Sequence, residues 1–113
     1  MSSTCKTKPI EIKQGASVRI LGRIPTAFAD GYFVGWALAS QMRNAKTGAL
    51  LADLAIDWDN PATTRVLVIT CDDTAGWALG EAEFDIRLTS PGDFKLYTRT
   101  AQAYVLKGVT QDA

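Results

Sequence analysis

Glu81, Glu83 and Asp85 stand at alternate positions of one segment, and paired carboxylates are the usual acid–base set for cleaving glycosidic bonds. On a strand, neighbours at i and i+2 lie about 7 Å apart, within the range such pairs use. Arg87 follows on the same face, and a solvated face with a local counter-charge explains the pattern without a reaction. A second set, Asp57, Asp59, Asn60, Asp72 and Asp73, offers oxygen donors on two turns. These would suit calcium if both turns lay at one end of the fold, but their spacing matches no EF-hand loop, and turn and cap chemistry accounts for them. A third set is aromatic: Phe28, Tyr32, Phe33, Trp36, Trp58 and Trp77. Exposed and coplanar rings would stack on sugars. Trp36 and Trp58 follow the buried phase of their strands and read as core. Tyr32 and Phe33, on a loop beside Gly31, are the expected exposed pair, with Trp77 as a further candidate.

Other chemistries are limited by what the chain lacks. It contains no histidine, which excludes Ser/His/Asp and Cys/His catalysis in their usual forms and removes the common nitrogen ligand of zinc. No phosphate-cradling glycine motif is present. Cys5 and Cys71 form no C-x-x-C pair and read as free thiols in a reducing compartment. No cofactor and no small-molecule substrate are expected.

The elements that would position these residues are strands. Residues 80–88 alternate strictly, with Ala82, Phe84, Ile86 and Leu88 on one face and Glu81, Glu83, Asp85 and Arg87 on the other, the signature of a half-buried strand. Similar alternation predicts strands over 9–14, 17–24, 33–43 and 49–58. A helix over 49–57 is the alternative for the last, given its alanines and leucines, but period two fits Leu50, Ala52, Leu54, Ile56 and Trp58 in a row. Residues 64–71 form a nearly continuous β-branched run, which predicts a strand covered on both faces. Asp72, Asp73 and Thr74 are placed to cap a short helical turn through Trp77. Residues 94–100 and 103–106 complete the set. Seven to eight short strands separated by turn residues predict an all-β, Ig-like antiparallel β-sandwich. The expected organisation is a flexible tail over 1–8, one sandwich domain over 9–107, and a C-terminal tail over 108–113. Pro9–Gln14 is the expected edge strand, guarded by Pro9 and Lys13.

A chain of 113 residues is long enough for one core without metal or disulfide. Its 12 basic and 12 acidic residues cancel, which argues against nucleic-acid binding and permits self-association. The charges are segregated: residues 1–23 hold five bases and one acid, and residues 53–85 hold eight acids and one base, Arg65. Such patches are either solvated faces or surfaces that meet on neighbouring copies. The N-terminus has no apolar signal-peptide core, and no stretch is apolar and long enough to span a membrane.

The ordered set Ser40-Gln-Met-Arg43, Leu50-Leu-Ala-Asp-Leu54, Val66-Leu-Val-Ile69, Asp73-Thr74-Ala-Gly-Trp77, Gly80, Phe84-Asp-Ile-Arg87, Pro91-Gly92-Asp93, Tyr97-Thr98 and Gly108-Val109-Thr110 carries a resemblance. The chain resembles the small Ig-like β-sandwich domains of phage and prophage tail regions, similar to the N-terminal domain of the phage baseplate upper protein. The resemblance implies a tail- or baseplate-associated structural or assembly module without catalytic residues. It further implies other phage structural proteins as partners, and a virion component made in the bacterial host cytoplasm. Related proteins carry a long fibre-forming segment after this domain, whereas this sequence runs to Ala113, so a stand-alone module is expected. The anticipated interaction surface is Tyr32, Phe33, Trp77, Glu81, Glu83 and Asp85, with a homo-oligomer as one possible assembly. The alternative is a carbohydrate-binding β-sandwich module using exposed aromatics.

Overall fold

The computed structural model describes residues 9–109. The expected tail over 1–8, with Cys5, and the end of the C-terminal tail, 110–113, lie outside the described residues. The chain is all-β, with eight strands: β1 (Ile10–Lys13), β2 (Val18–Arg23), β3 (Ala37–Asn44), β4 (Leu50–Trp58), β5 (Val66–Cys71), β6 (Gly80–Thr89), β7 (Lys95–Tyr97) and β8 (Ala101–Leu106). They join in the order β1-β8-β6-β3-β4-β5-β2, with β7 pairing the second half of β6. The end strands are β1, as expected, and β2.

β4 is shared between the two layers. Its residues Leu50–Leu54 pair β3, whereas Ala55–Trp58 pair β5. A strand that changes sheet in mid-course makes a corner and turns one hydrogen-bonded path into a sandwich. The large layer is β1-β8-β6-β3 with the first half of β4; the small layer is the second half of β4 with β5 and β2. Across the core Gly22 of β2 faces β6, and a Cβ added there would lie 3.8 Å from the Ile86 side chain. The single core contains Ile12, Val18, Met42, Leu54, Leu67, Ile69, Trp77, Phe84, Ile86, Leu88 and Val105.

Four features of the strands differ from the sequence expectation. The sheet is not wholly antiparallel, because β1 runs parallel to β8, Ile10 beside Ala103 and Lys13 beside Leu106. The strand expected from Phe33 begins only at Ala37. Gly31 and Gly35 take positive φ (81° and 84°), and successive turns bond Tyr32 N to Ala29 O, Val34 N to Gly31 O and Trp36 N to Phe33 O. Val34 is consequently thrown out of the buried phase and lies exposed. Leu50 is also exposed, because a register shift between Met42 and Arg43 displaces the start of β4. Finally, among the described residues β5 is buried on one face only: Leu67 and Ile69 are buried, and Val66, Val68 and Thr70 are half-exposed.

The loop 72–79 makes a turn, Trp77 N to Thr74 O, in place of the expected helical turn. Asp73 Oδ1 accepts from Ala75 N, so the Asx chemistry survives without a helix. Thr74 is wholly buried, and its hydroxyl accepts from Gly15 N at 2.9 Å and donates to Ala16 O at 2.7 Å. Gln14 Nε2 donates to Trp77 O at 2.7 Å across the same junction. One threonine thus ties the β1–β2 turn to the β5–β6 loop. Thr74→Val keeps the shape and leaves both backbone groups without a partner. Urea unfolding should show a loss of about 2 kcal/mol with an unchanged slope.

Candidate functional site

The three acids of β6 do share one outer face. Register sets Glu81 beside Tyr104, Glu83 beside Gln102 and Arg43, and Asp85 beside Gln41. Glu81 is exposed, and Glu83 and Asp85 are half-exposed. Their side chains make no hydrogen bond or ion pair among the described residues. The neighbouring polar chain is ordered: Arg43 Nη2 donates to Gln41 Oε1 at 2.8 Å, and Gln41 Nε2 donates to Asp53 Oδ1 at 2.8 Å. Arg43 Nη1 completes it by donating to Gly48 O.

This face carries a furrow of about 460 Å³ at the fork where β4 leaves β3. The last β3–β4 pair is Ser40–Leu54, after which β4 joins β5. The outer residues of β3 beyond the fork are Ala37 and Ala39, too small to fill the gap. Asp53 lines one wall, and Asp85, Arg87 and Tyr97 line the other, with Gln41 between. Tyr97 sits opposite Arg87 in register and is exposed. Sequence reasoning missed Tyr97 and Asp53 as neighbours, because nothing local in the sequence shows that β4 forks away and β7 folds onto β6.

The expected aromatic surface is corrected. Phe33 is only 2% and Trp77 only 3% exposed, so neither faces solvent. Phe33 lies at the centre of a ring cluster, 4.9 Å from Trp36 and 5.2 Å from Phe28. Tyr32 is exposed, but its ring stands edge-on to Phe28 at 61° and to Phe33 at 69°. The rings are not coplanar and form no flat stacking platform. The loop is held by Arg65, the lone base of the acidic stretch. Its guanidinium donates to Phe28 O and Ile24 O, and it lies 3.5 Å from the Asp30 carboxylate.

The calcium set does not converge. Asp59 and Asn60 precede β5 and Asp72 and Asp73 follow it, so the two turns lie at opposite ends of a strand about 17 Å long, and Asp57 stands beside Val68 between them. Asn60 Oδ1 accepts from Ala62 N and Asn60 O from Thr64 N, which is turn chemistry. Among the described residues no group of three or more Cys, Asp and Glu could hold a metal ion. Cys71 is half-buried, and its thiol points to Asp73 O at 3.5 Å.

The second surface with a definite build is the outer face of the small layer. Arg19, Leu21 and Arg23 of β2 stand beside Thr70, Val68 and Val66 of β5. Ala55 and Asp57 of β4 stand beside Thr70 and Val68, and Asp59 N bonds Val66 O to close the third row. Leu21 is 57% exposed.

No protein-family model matches the chain, and no curated protein matches it significantly. Among solved structures the chain is similar to CopC from Methylosinus trichosporium OB3b, at 10% identity and a TM-score of 0.49, covering 94% of this chain and 91% of that one. A likeness of that degree carries no functional argument.

Two substitutions separate the surface from the core. Trp77→Ala should cost about 3–5 kcal/mol in chemical unfolding. Glu83→Gln, on the open face, should stay within about 0.5 kcal/mol of the parent.

Proposed function

We propose that this chain is a non-catalytic phage or prophage structural or assembly module, associated with a tail or baseplate and acting through protein–protein contacts. The observation that carries this reading is β5. Its Val-Leu-Val-Ile-Thr run has the composition of a strand covered on both faces, yet Val66, Val68 and Thr70 are half-exposed beside a protruding Leu21. A covering partner completes that layer. The free outer edge of β2 adds backbone groups that a neighbouring strand can pair with. The resemblance to tail-region sandwich domains points the same way. The module would be made in the host cytoplasm and carried in the virion, without cofactor or substrate. Antibody against this chain should decorate tails or baseplates of purified virions in electron micrographs. Virions whose protein complement lacks it would overturn the reading.

The furrow favours a second reading, a carbohydrate-binding module that uses Tyr97 in place of Phe33 and Trp77. Carboxylates, an amide, a guanidinium and one exposed ring around about 460 Å³ suit a polyhydroxylated ligand. Titration with the host's surface polysaccharide would show saturable binding that Tyr97→Ala weakens about tenfold, roughly 1.4 kcal/mol. A glycan array without hits would dismiss it.

A further inference from the structure

The outer face of the small layer is a grid of three rows, Arg19–Thr70–Ala55, Leu21–Val68–Asp57 and Arg23–Val66–Asp59. One edge is basic, the middle is apolar and the opposite edge is acidic. Arg19, Arg23 and Asp59 make no side-chain hydrogen bond or ion pair among the described residues, and the Asp57 carboxylate accepts only from Trp58 N. The pattern is complementary to itself.

With the strands of the two copies aligned, two symmetric ways of packing this face on a second copy exist, and the charges choose between them. A two-fold axis across the strands would lay β2 on β2 and bring Arg19 against Arg23, like on like. A two-fold axis along the strands lays β2 of one copy over β4 of the other. Arg23 then meets Asp59, Leu21 meets Asp57 with Arg19 within reach, and Val68 meets its own copy on the axis. Aligned sheet packing of this kind tolerates the usual offset of about 30° between strand directions.

We propose that two copies of this chain pair through these faces, with the two-fold axis parallel to β5 and Val68 upon it. The pairing rests on the reading of the half-exposed outer face of β5 as a docking surface, and it names the occupant. It accounts for three facts at once: a strand composed for two covered faces, a protruding Leu21, and unpaired charges of opposite sign on opposite edges. Nine residues form a small interface beside the standard of about 800 Å² per partner, so the dissociation constant should be on the order of 0.1 mM. Within a tail, where copies are held close together, a contact of that strength suffices because its effective concentration is high.

Sedimentation of the full chain from micromolar to millimolar concentration tests the proposal. At about 0.05 M salt the mass should rise from monomer to dimer, and about 1 M salt should weaken the pairing tenfold or more. Arg19→Glu with Arg23→Glu should be monomeric, as should Asp57→Lys with Asp59→Lys. Mixing the two charge-reversed proteins should restore a dimer. With Cys5→Ser and Cys71→Ser as background, Val68→Cys should cross-link under mild oxidation, and Thr47→Cys, on the distant β3–β4 turn, should not. Arg19, Arg23, Thr47, Asp57, Asp59, Val68 and Cys71 lie on exposed or half-exposed sites, and an unchanged circular-dichroism spectrum verifies that each variant folds. A chain monomeric throughout would overturn the proposal, as would a dimer indifferent to both charge reversals. A strict monomer that is still found in virions removes the pairing and leaves the structural role standing. A two-fold dimer absent from virions does the reverse.

Discussion

The division of β4 between two partners is the constraint on which the rest of the molecule depends. Hydrogen bonding to β3 stops at Leu54 and bonding to β5 starts at Ala55. Had β4 stayed with β3 throughout, the eight strands would form one twisted layer with a single buried face. The corner lets β5 and β2 fold back, so that Leu67, Ile69 and Val18 reach Phe84 and Ile86 in one interior. The same corner opens the fork over Ala37 and Ala39, and it carries the outer faces of β5 and β2 away from the large layer. Both surfaces with a definite build, the furrow and the charged-edge grid, are consequences of one strand's change of partner.

The corner is held from outside the strands. Thr74 and Gln14 fasten the β1–β2 turn to the β5–β6 loop, and Arg65 fastens the segment before β3 to the start of β5. Thr64, buried and at positive φ (51°), places its hydroxyl 3.3 Å from Phe33 N. A β-branched residue in that region is strained by about 1–3 kcal/mol, so surrounding packing must fix it there. These ties are long-range and made by side chains to backbone. They explain how a fold with few ion pairs keeps two layers in register.

Alternation made most strands legible: Ala82, Phe84, Ile86 and Leu88 are all buried, and Glu81 and Arg87 all face out. The all-β class follows from that pattern, and the β1 edge from Pro9 and Lys13. What was not legible depended on tertiary partners. Phe33 and Val34 are exchanged relative to a simple strand because two glycines coil the chain before Ala37. Trp77 sits in a short loop that follows two aspartates, and the Thr74 and Gln14 ties across the junction accompany its turn inward. The parallel seam of β1 with β8 joins residues some ninety positions apart, which no local pattern encodes. Asp53, Asp85, Arg87 and Tyr97 come together only because β4 leaves and β7 returns.

The segregated charge of the sequence takes on a spatial meaning in the small layer. Arg19 and Arg23 belong to the basic N-terminal segment and Asp57 and Asp59 to the acidic middle, yet β5 lies between them and sets them on opposite rims of one face. If they served only for solubility, the rims would interleave signs, since interspersed charge avoids single-sign fields. Rims of opposite sign across an apolar strip instead give the face a direction, and a surface with a direction distinguishes one two-fold docking geometry from the other. In the proposed pairing the β-branched run of β5 would supply attraction without specificity, and the flanking arginines and aspartates would supply the orientation. One strand, β5, would then serve the inner core through Leu67 and Ile69 and the outer contact through Val66 and Val68.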